Sequence, residues 1–211
     1  YFNRALGGHG GMLYLGNNTT SQLYATNGYN MYIYANHASG NGGALYANSG
    51  GYFDIYGQVR FDRNRADNGG AIYLGNGSRV WLDDYVTIKP QLWDNWADYG
   101  SGGAIYASNS PSVRCDGALF GMDAGGNHAT MDGGALYLSG STSTAENCIF
   151  QDNLAANHGG AIAAYTSTLT LRANYSTLTG MAADEIGTRD ASLVAAPLAP
   201  AATPCNPAVQ L

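Results

Sequence analysis

The chain has 211 residues, of which 30 are glycine and 16 tyrosine, and only 11% are charged. Glycine and tyrosine weaken helices and suit turns and strands, so the composition argues against a helical or α/β fold. Nine basic residues against fifteen acidic give a formal net charge of -6, without the clustered positive charge that nucleic acid or an anionic membrane needs, and no apolar run approaches the ~18 residues of a transmembrane helix.

The first element met along the chain is Asn3-Arg4-Ala5 followed by Gly10-Gly11-Met12-Leu13-Tyr14, and this motif occurs six times. Its asparagines are Asn3, Asn36, Asn64, Asn95, Asn127 and Asn153, spaced by 33, 28, 31, 32 and 26 residues. Such a period is the signature of a repeat architecture in which each unit stacks on the next.

After each glycine doublet a short strand is predicted. Two and four places beyond the second glycine stand Leu13 and Leu15, Leu45 and Ala47, Ile72 and Leu74, Ile105 and Ala107, Leu136 and Leu138, and Ile162 and Ala164. Alternation on a strand sends these inward. The residue between them, Tyr14, Tyr46, Tyr73, Tyr106 and Tyr137, with Ala163 in the last copy, is then expected on the outer face as a column of phenols.

Ten and twelve places beyond the doublet a second inward pair recurs: Phe53 and Ile55, Val80 and Leu82, and Val113 and Cys115, with Thr144 and Glu146 fitting poorly in the fifth copy. A third apolar anchor precedes the asparagine by three residues, as Ile33, Phe61, Leu92 and Phe150, with Ala124 as the departure. Three short strands per period are what one coil of a three-faced parallel β-helix requires. Six coils at about 4.8 Å make a rod roughly 30 Å tall.

The motif residues fit that geometry. Gly-Gly permits a bend with positive φ or a close approach to the next coil. The six asparagines are read as a structural ladder in which each amide donates to the next side-chain carbonyl.

After Gly180 the pattern stops. The expected organisation is one β-helix over residues 1–180 and an Ala/Pro-rich extended tail over residues 181–211, docking on its own or a neighbouring subunit. Pro197, Pro200, Pro204 and Cys205 in that tail are candidate interface residues, as are the five column tyrosines.

Two copies carry the hallmarks of a known repeat. Gly69-Gly70-Ala71-Ile72 with Phe61-Asp62-Arg63-Asn64, and Gly159-Gly160-Ala161-Ile162 with Phe150-Gln151-Asp152-Asn153, resemble the Gly-Gly-Ala-[Ile/Leu] and Phe-x-x-Asn motifs of the polymorphic outer-membrane proteins. The resemblance implies an all-β, right-handed, single-stranded parallel β-helix displayed on a cell surface, typically as an adhesin.

Chemistry is thinly represented. His37 and His128 share the place after the asparagine but are separated by the copies with Arg65 and Trp96, about 14 Å at strand spacing, so neither a metal nor another cofactor is expected. Asp83-Asp84, with Asp54, Arg79 and Arg114 nearby, is the one constellation that would suit a glycan-cleaving enzyme. Asp67, Asp98 and Asp132, before the doublets, read as turn formers. Cys115 and Cys148 lie in successive coils but two places out of step, which leaves the pairing among Cys115, Cys148 and Cys205 open.

The expectation is a non-enzymatic extracellular structural protein, its signal or propeptide removed, that self-associates end to end or by tail exchange into a filament or surface layer. The alternative is an adhesin module binding a glycan or host surface, with a glycan-active enzyme as the weaker third reading.

Overall fold

The computed structural model describes residues 2–25, 29–84, 89–122, 125–172, 186–189 and 192–195. Among these every regular element is a strand, and the strands form four sheets whose pairings are all parallel. Successive members of a sheet come from successive coils, so the chain is a β-solenoid.

The strand after the glycine doublet builds the first sheet, from Leu13–Leu15 through Leu45–Ala47, Ile72–Gly75, Ile105–Ser108 and Leu136–Ser139 to Ile162–Tyr165. Its register aligns equivalent residues of the motif, Ile72 with Ile105 and Tyr73 with Tyr106. The second sheet runs from Thr20–Ala25 through Tyr52–Gly57, Arg79–Asp83, Ser112–Asp116 and Thr142–Glu146 to Thr168–Arg172. The third comprises Met31–Tyr34, Val59–Asp62, Gln91–Trp93, Leu119–Phe120 and Ile149–Phe150.

The structure differs from the expected three strands per coil. Asn-x-Ala does not simply turn the chain: its last two residues, as in Arg65–Ala66 and Trp96–Ala97, pair in a fourth, six-stranded sheet of two-residue strands. A run this short has no hydrophobic period, which is why it reads as a turn.

Three other expectations change. The third anchor of the fifth copy is Phe120, the register partner of both Leu92 and Phe150, which stands seven residues before Asn127 and not three, while Ala124 lies outside the described residues. In the same copy the inward residues of the second sheet are Ser143 and Ala145, so Thr144 and Glu146 point outward, and their poor fit was a one-residue shift of phase. The repeat also continues beyond residue 180. Ile186–Arg189 pairs with Ile162–Tyr165, and Ser192–Ala195 pairs with Thr168–Arg172, adding a rung to two sheets.

The bore is filled by one inward residue per strand position. Leu45, Ile72, Ile105 and Leu136 stack from the first sheet, Phe53, Val80 and Val113 from the second, and Phe61, Leu92, Phe120 and Phe150 from the third, all essentially inaccessible. Burial of one such Leu, Ile or Phe side chain stabilises the fold by about 1.5–3 kcal/mol. Alanines such as Ala44, Ala71 and Ala104, just after the doublets, are equally buried and keep the corner narrow.

Candidate functional site

Each asparagine of the ladder is held by its neighbours. The Asn64 Nδ2 donates to Asn95 Oδ1 at 2.9 Å and to the Ile33 carbonyl at 2.9 Å, while its backbone N–H donates to the same Asn95 Oδ1 at 3.1 Å. The pattern repeats from Asn3 to Asn36, Asn36 to Asn64, Asn95 to Asn127 and Asn127 to Asn153. These amides are consumed by one another, and Asn36, Asn64, Asn95, Asn127 and Asn153 are buried. The residue before the asparagine adopts positive φ in four coils, at Ala35, Arg63, Asp94 and Asp152, which fixes the corner that aims the amide.

The tyrosine column is a continuous file of stacked rings. Centroid separations are 4.9 Å for Tyr14 and Tyr46, 5.0 Å for Tyr46 and Tyr73, 5.1 Å for Tyr73 and Tyr106, and 4.7 Å for Tyr106 and Tyr137, with interplanar angles of 14° or less. Where Ala163 interrupts the column, Tyr165 leans in at 5.6 Å and 42°. The file is not a uniformly open surface: Tyr14 at its end is 56% exposed, but Tyr46, with His9 stacked on it, is only 7% exposed. Burial pushes the phenols of Tyr46, Tyr106 and Tyr137 up from the ordinary tyrosine value. Much of each ring face therefore serves its neighbours, worth about 0.5–1.5 kcal/mol per pair.

The outer face of the second sheet carries the acids. Asp54, Trp81 and Arg114 are register partners, so Trp81 stands between the Asp54 and Arg114 that sequence spacing suggested as neighbours. Asp83 lies one column over, between Tyr56 and Asp116. Burial holds the Asp83 carboxyl above its usual range although Arg114 opposes this, and Tyr52 is pushed up to about 12 by burial and by the charges of Asp54 and Asp83.

The third sheet presents a cluster that sequence reasoning passed over. Its outward residues alternate with the inward anchors: Tyr32, Arg60 and Gln91 form one column, and Tyr34, Asp62 and Trp93 the next. Arg60 Nη2 donates to Asp62 Oδ2 at 2.8 Å, and the guanidinium lies 3.9 Å from the centre of the Trp93 ring. Arg63 donates to Asp94 Oδ2 at 3.1 Å and to the Tyr34 hydroxyl at 2.9 Å. Burial raises the Asp62 carboxyl, against the lowering effect of Arg60 and Arg63. Two buried donors here, Arg60 Nε and Trp93 Nε1, have no hydrogen-bond partner. The available signal was the pair of residues flanking each anchor, since those must face outward on adjacent rungs.

His37 and His128 occupy the outer column of the corner sheet, with Arg65 and Trp96 on the rungs between, and His128 stacks on Trp96 at 4.2 Å. Among the described residues no group of three or more His, Cys, Asp or Glu side chains is placed to hold a metal ion. Cys115 and Cys148 are free, buried thiols, and they meet in the bore without any insertion, where burial first and contact with Cys148 second push the Cys115 thiol up. Pro197, Pro200, Pro204 and Cys205 lie outside the described residues.

The fold and these faces define a parallel β-solenoid repeat protein whose ladders build the rod and whose outward columns, apart from the tyrosine file, vary from rung to rung. Two segments, residues 58–75 and 147–165, match the Chlamydia polymorphic membrane protein repeat. These are the coils in which a phenylalanine stands three residues before the asparagine, Phe61 and Phe150, so the two coils are similar to that repeat in both hallmarks. No curated protein and no solved structure matches the chain.

Proposed function

We propose that the chain is a non-enzymatic, surface-displayed structural solenoid that self-associates end to end. The observation that carries this reading is that contact of one coil on the next runs unbroken through the sheets and the asparagine ladder, so that a coil of one copy can continue the series of another. The similarity to the polymorphic membrane protein repeat supports display on a cell surface.

Sedimentation velocity across a range of protein concentrations tests the proposal. Association is expected in the parent chain and is expected to weaken in Leu13→Lys/Leu23→Lys, which places charges at two bore positions that are only partly buried, with the strand signal in far-UV circular dichroism retained. A parent chain that sediments as a monomer at every concentration overturns it. A second reading, an adhesin module that binds a glycan, is favoured by a different observation, the aromatic and ionic cluster around Arg60 and Trp93.

A further inference from the structure

Large apolar side chains left in solvent are unevenly placed around the rod. Beyond the first coil, whose strands are sheet edges, five of them among the described residues are more than a third exposed: Trp81, Trp96, Tyr99, Met131 and Leu154. All but Trp81 gather at one corner, on three consecutive coils, where they are 37%, 80%, 45% and 58% exposed in chain order. The sequence changes character there. The outward place after the ladder asparagine is Arg4, His37 and Arg65 in the first three coils, then Trp96, His128 and Leu154. Two places further on, Asp67 and Asp98 give way to Thr130 and Ala156.

A furrow of about 400 Å³ runs between these columns, with Trp96, His128 and Leu154 on one side and Thr130 and Ala156 on the other. It exists because its floor is alanine, Ala97 and Ala129, whose methyl groups are buried and leave nothing standing between the columns. One coil earlier Arg65 reaches across to Asp98, Nη2 to Oδ1 at 2.7 Å, and closes the furrow at that end.

Area and charge narrow the partner. The four exposed side chains present roughly 450 Å² together, taking about 200 Å² for each large side chain, whereas a stable protein interface buries about 800 Å² per partner. A second copy is therefore poorly served by this corner. The charges around it are neutralised locally: Arg63 pairs with Asp94, Arg65 with Asp98, and Asp132 lies 3.0 Å from His158 Nδ1. With a net charge of -6 on the chain, nothing here draws an anionic surface. What remains is an uncharged apolar medium with a polar boundary, the place that tryptophan and tyrosine favour because each has an apolar body and a polar tip.

We propose that this corner is a lipid-contacting site that rests on a zwitterionic bilayer, with Trp96, Tyr99, Met131 and Leu154 entering the interface and the alanine-floored furrow taking part of one acyl chain. Tyr99 and Met131 stand beyond the corner strands and meet the headgroups with the edge of the furrow behind them. The contact is weak and reversible, because four side chains bury far less apolar area than a membrane-spanning element. It does not depend on end-to-end association.

The test mixes the full chain with vesicles of pure phosphatidylcholine and separates bound from free protein by flotation. Vesicles containing phosphatidylglycerol, and phosphatidylcholine brominated on its acyl chains, form parallel arms. The expected result is reversible flotation with phosphatidylcholine, and a quenching of tryptophan emission by bromine that Trp96→Phe removes and Trp81→Phe leaves. Tyr99→Ser and Leu154→Ser each weaken partitioning about 3- to 10-fold. Both side chains project into solvent, so the melting temperature stays that of the parent. No flotation with phosphatidylcholine, flotation that requires the anionic lipid, quenching that survives Trp96→Phe, or equal partitioning of the parent and both serine variants would each overturn the proposal. Sedimentation velocity without lipid supplies the remaining arm: association of the parent that Leu154→Ser abolishes assigns the corner to a second copy, and overturns it too.

Discussion

At Gly102 the backbone has φ of +68°, a conformation costly for a residue with a Cβ, whereas at Gly103 the constraint is space: a Cβ there would lie 2.1 Å from the Gly134 carbonyl oxygen and 2.6 Å from the His128 nitrogen. Both obstacles are main-chain atoms of the next coil, so relief requires the coils to separate. Gly103→Ala is expected to destabilise by about 3 kcal/mol or more. Gly77→Ala, also at positive φ but with nothing near the new methyl group, is expected to cost about 1–2 kcal/mol. Urea unfolding of the two variants checks the difference. His128 supplies a pH-dependent contribution at the same scale. Burial lowers its pKa below the ordinary histidine value of about 6.5, so the unfolded chain takes up a proton more readily than the folded one. Stability from this group is complete above the unfolded value and falls as the pH drops through the folded one. Urea midpoints measured from pH 7.5 to 5 should therefore show a steeper acid loss in the parent than in His128→Leu, which borrows the Leu154 of the next rung. The doublet was legible in the sequence because both glycine requirements recur in every coil. The meeting of Cys115 and Cys148 was not, because counting from the doublet ignores that a side chain at a corner can touch a strand residue of the neighbouring coil.

At the scale of the element, the asparagine ladder joins successive coils where the strands are only two residues long. Asn95 accepts from the Asn64 amide and backbone N–H, and donates to Asn127 Oδ1 and to the Phe61 carbonyl. Removing this side chain strands several buried polar groups at once, each worth about 1–3 kcal/mol, so Asn95→Ala is expected to destabilise by about 3–5 kcal/mol. Asn3→Ala, at the partly exposed first rung, should cost no more than about 1 kcal/mol by the same urea measurement. The inward strands of the first sheet could be read from alternation alone, since Leu45, Ile72 and Ile105 keep one phase, and those of the second could be so read except in the fifth copy. What escaped were elements without a period: the two-residue strands of the corner, the Phe120 anchor displaced by extra corner residues, and the short strands beyond residue 180, whose Thr188 and Arg189 look unlike the core of the coils before them.

For the molecule as a whole, stability is a sum over neighbouring coils, and function lies on what those coils leave outside. The bore was legible because inward residues repeat, while the Arg60 and Trp93 cluster was not, because its members come from different coils and no two coils repeat the combination. The same separation explains why the acids of the second sheet read as a constellation in the sequence: Asp54 and Arg114 occupy equivalent positions, but the rung between them holds Trp81. A solenoid shows its structural residues by repetition and its distinctive surface by departures from it.

The hydrogen bonds of the buried amides all run one way, from Asn3 toward Asn153, with each Nδ2 pointing to the following carbonyl and none reversed. The rod is therefore polar like an arrow. A newcomer laid in front of Asn3 continues the series only if it brings an amide donor in the same orientation. Two ladders opposed in sense would set oxygen against oxygen, so the series accepts a further coil only in the direction it already runs.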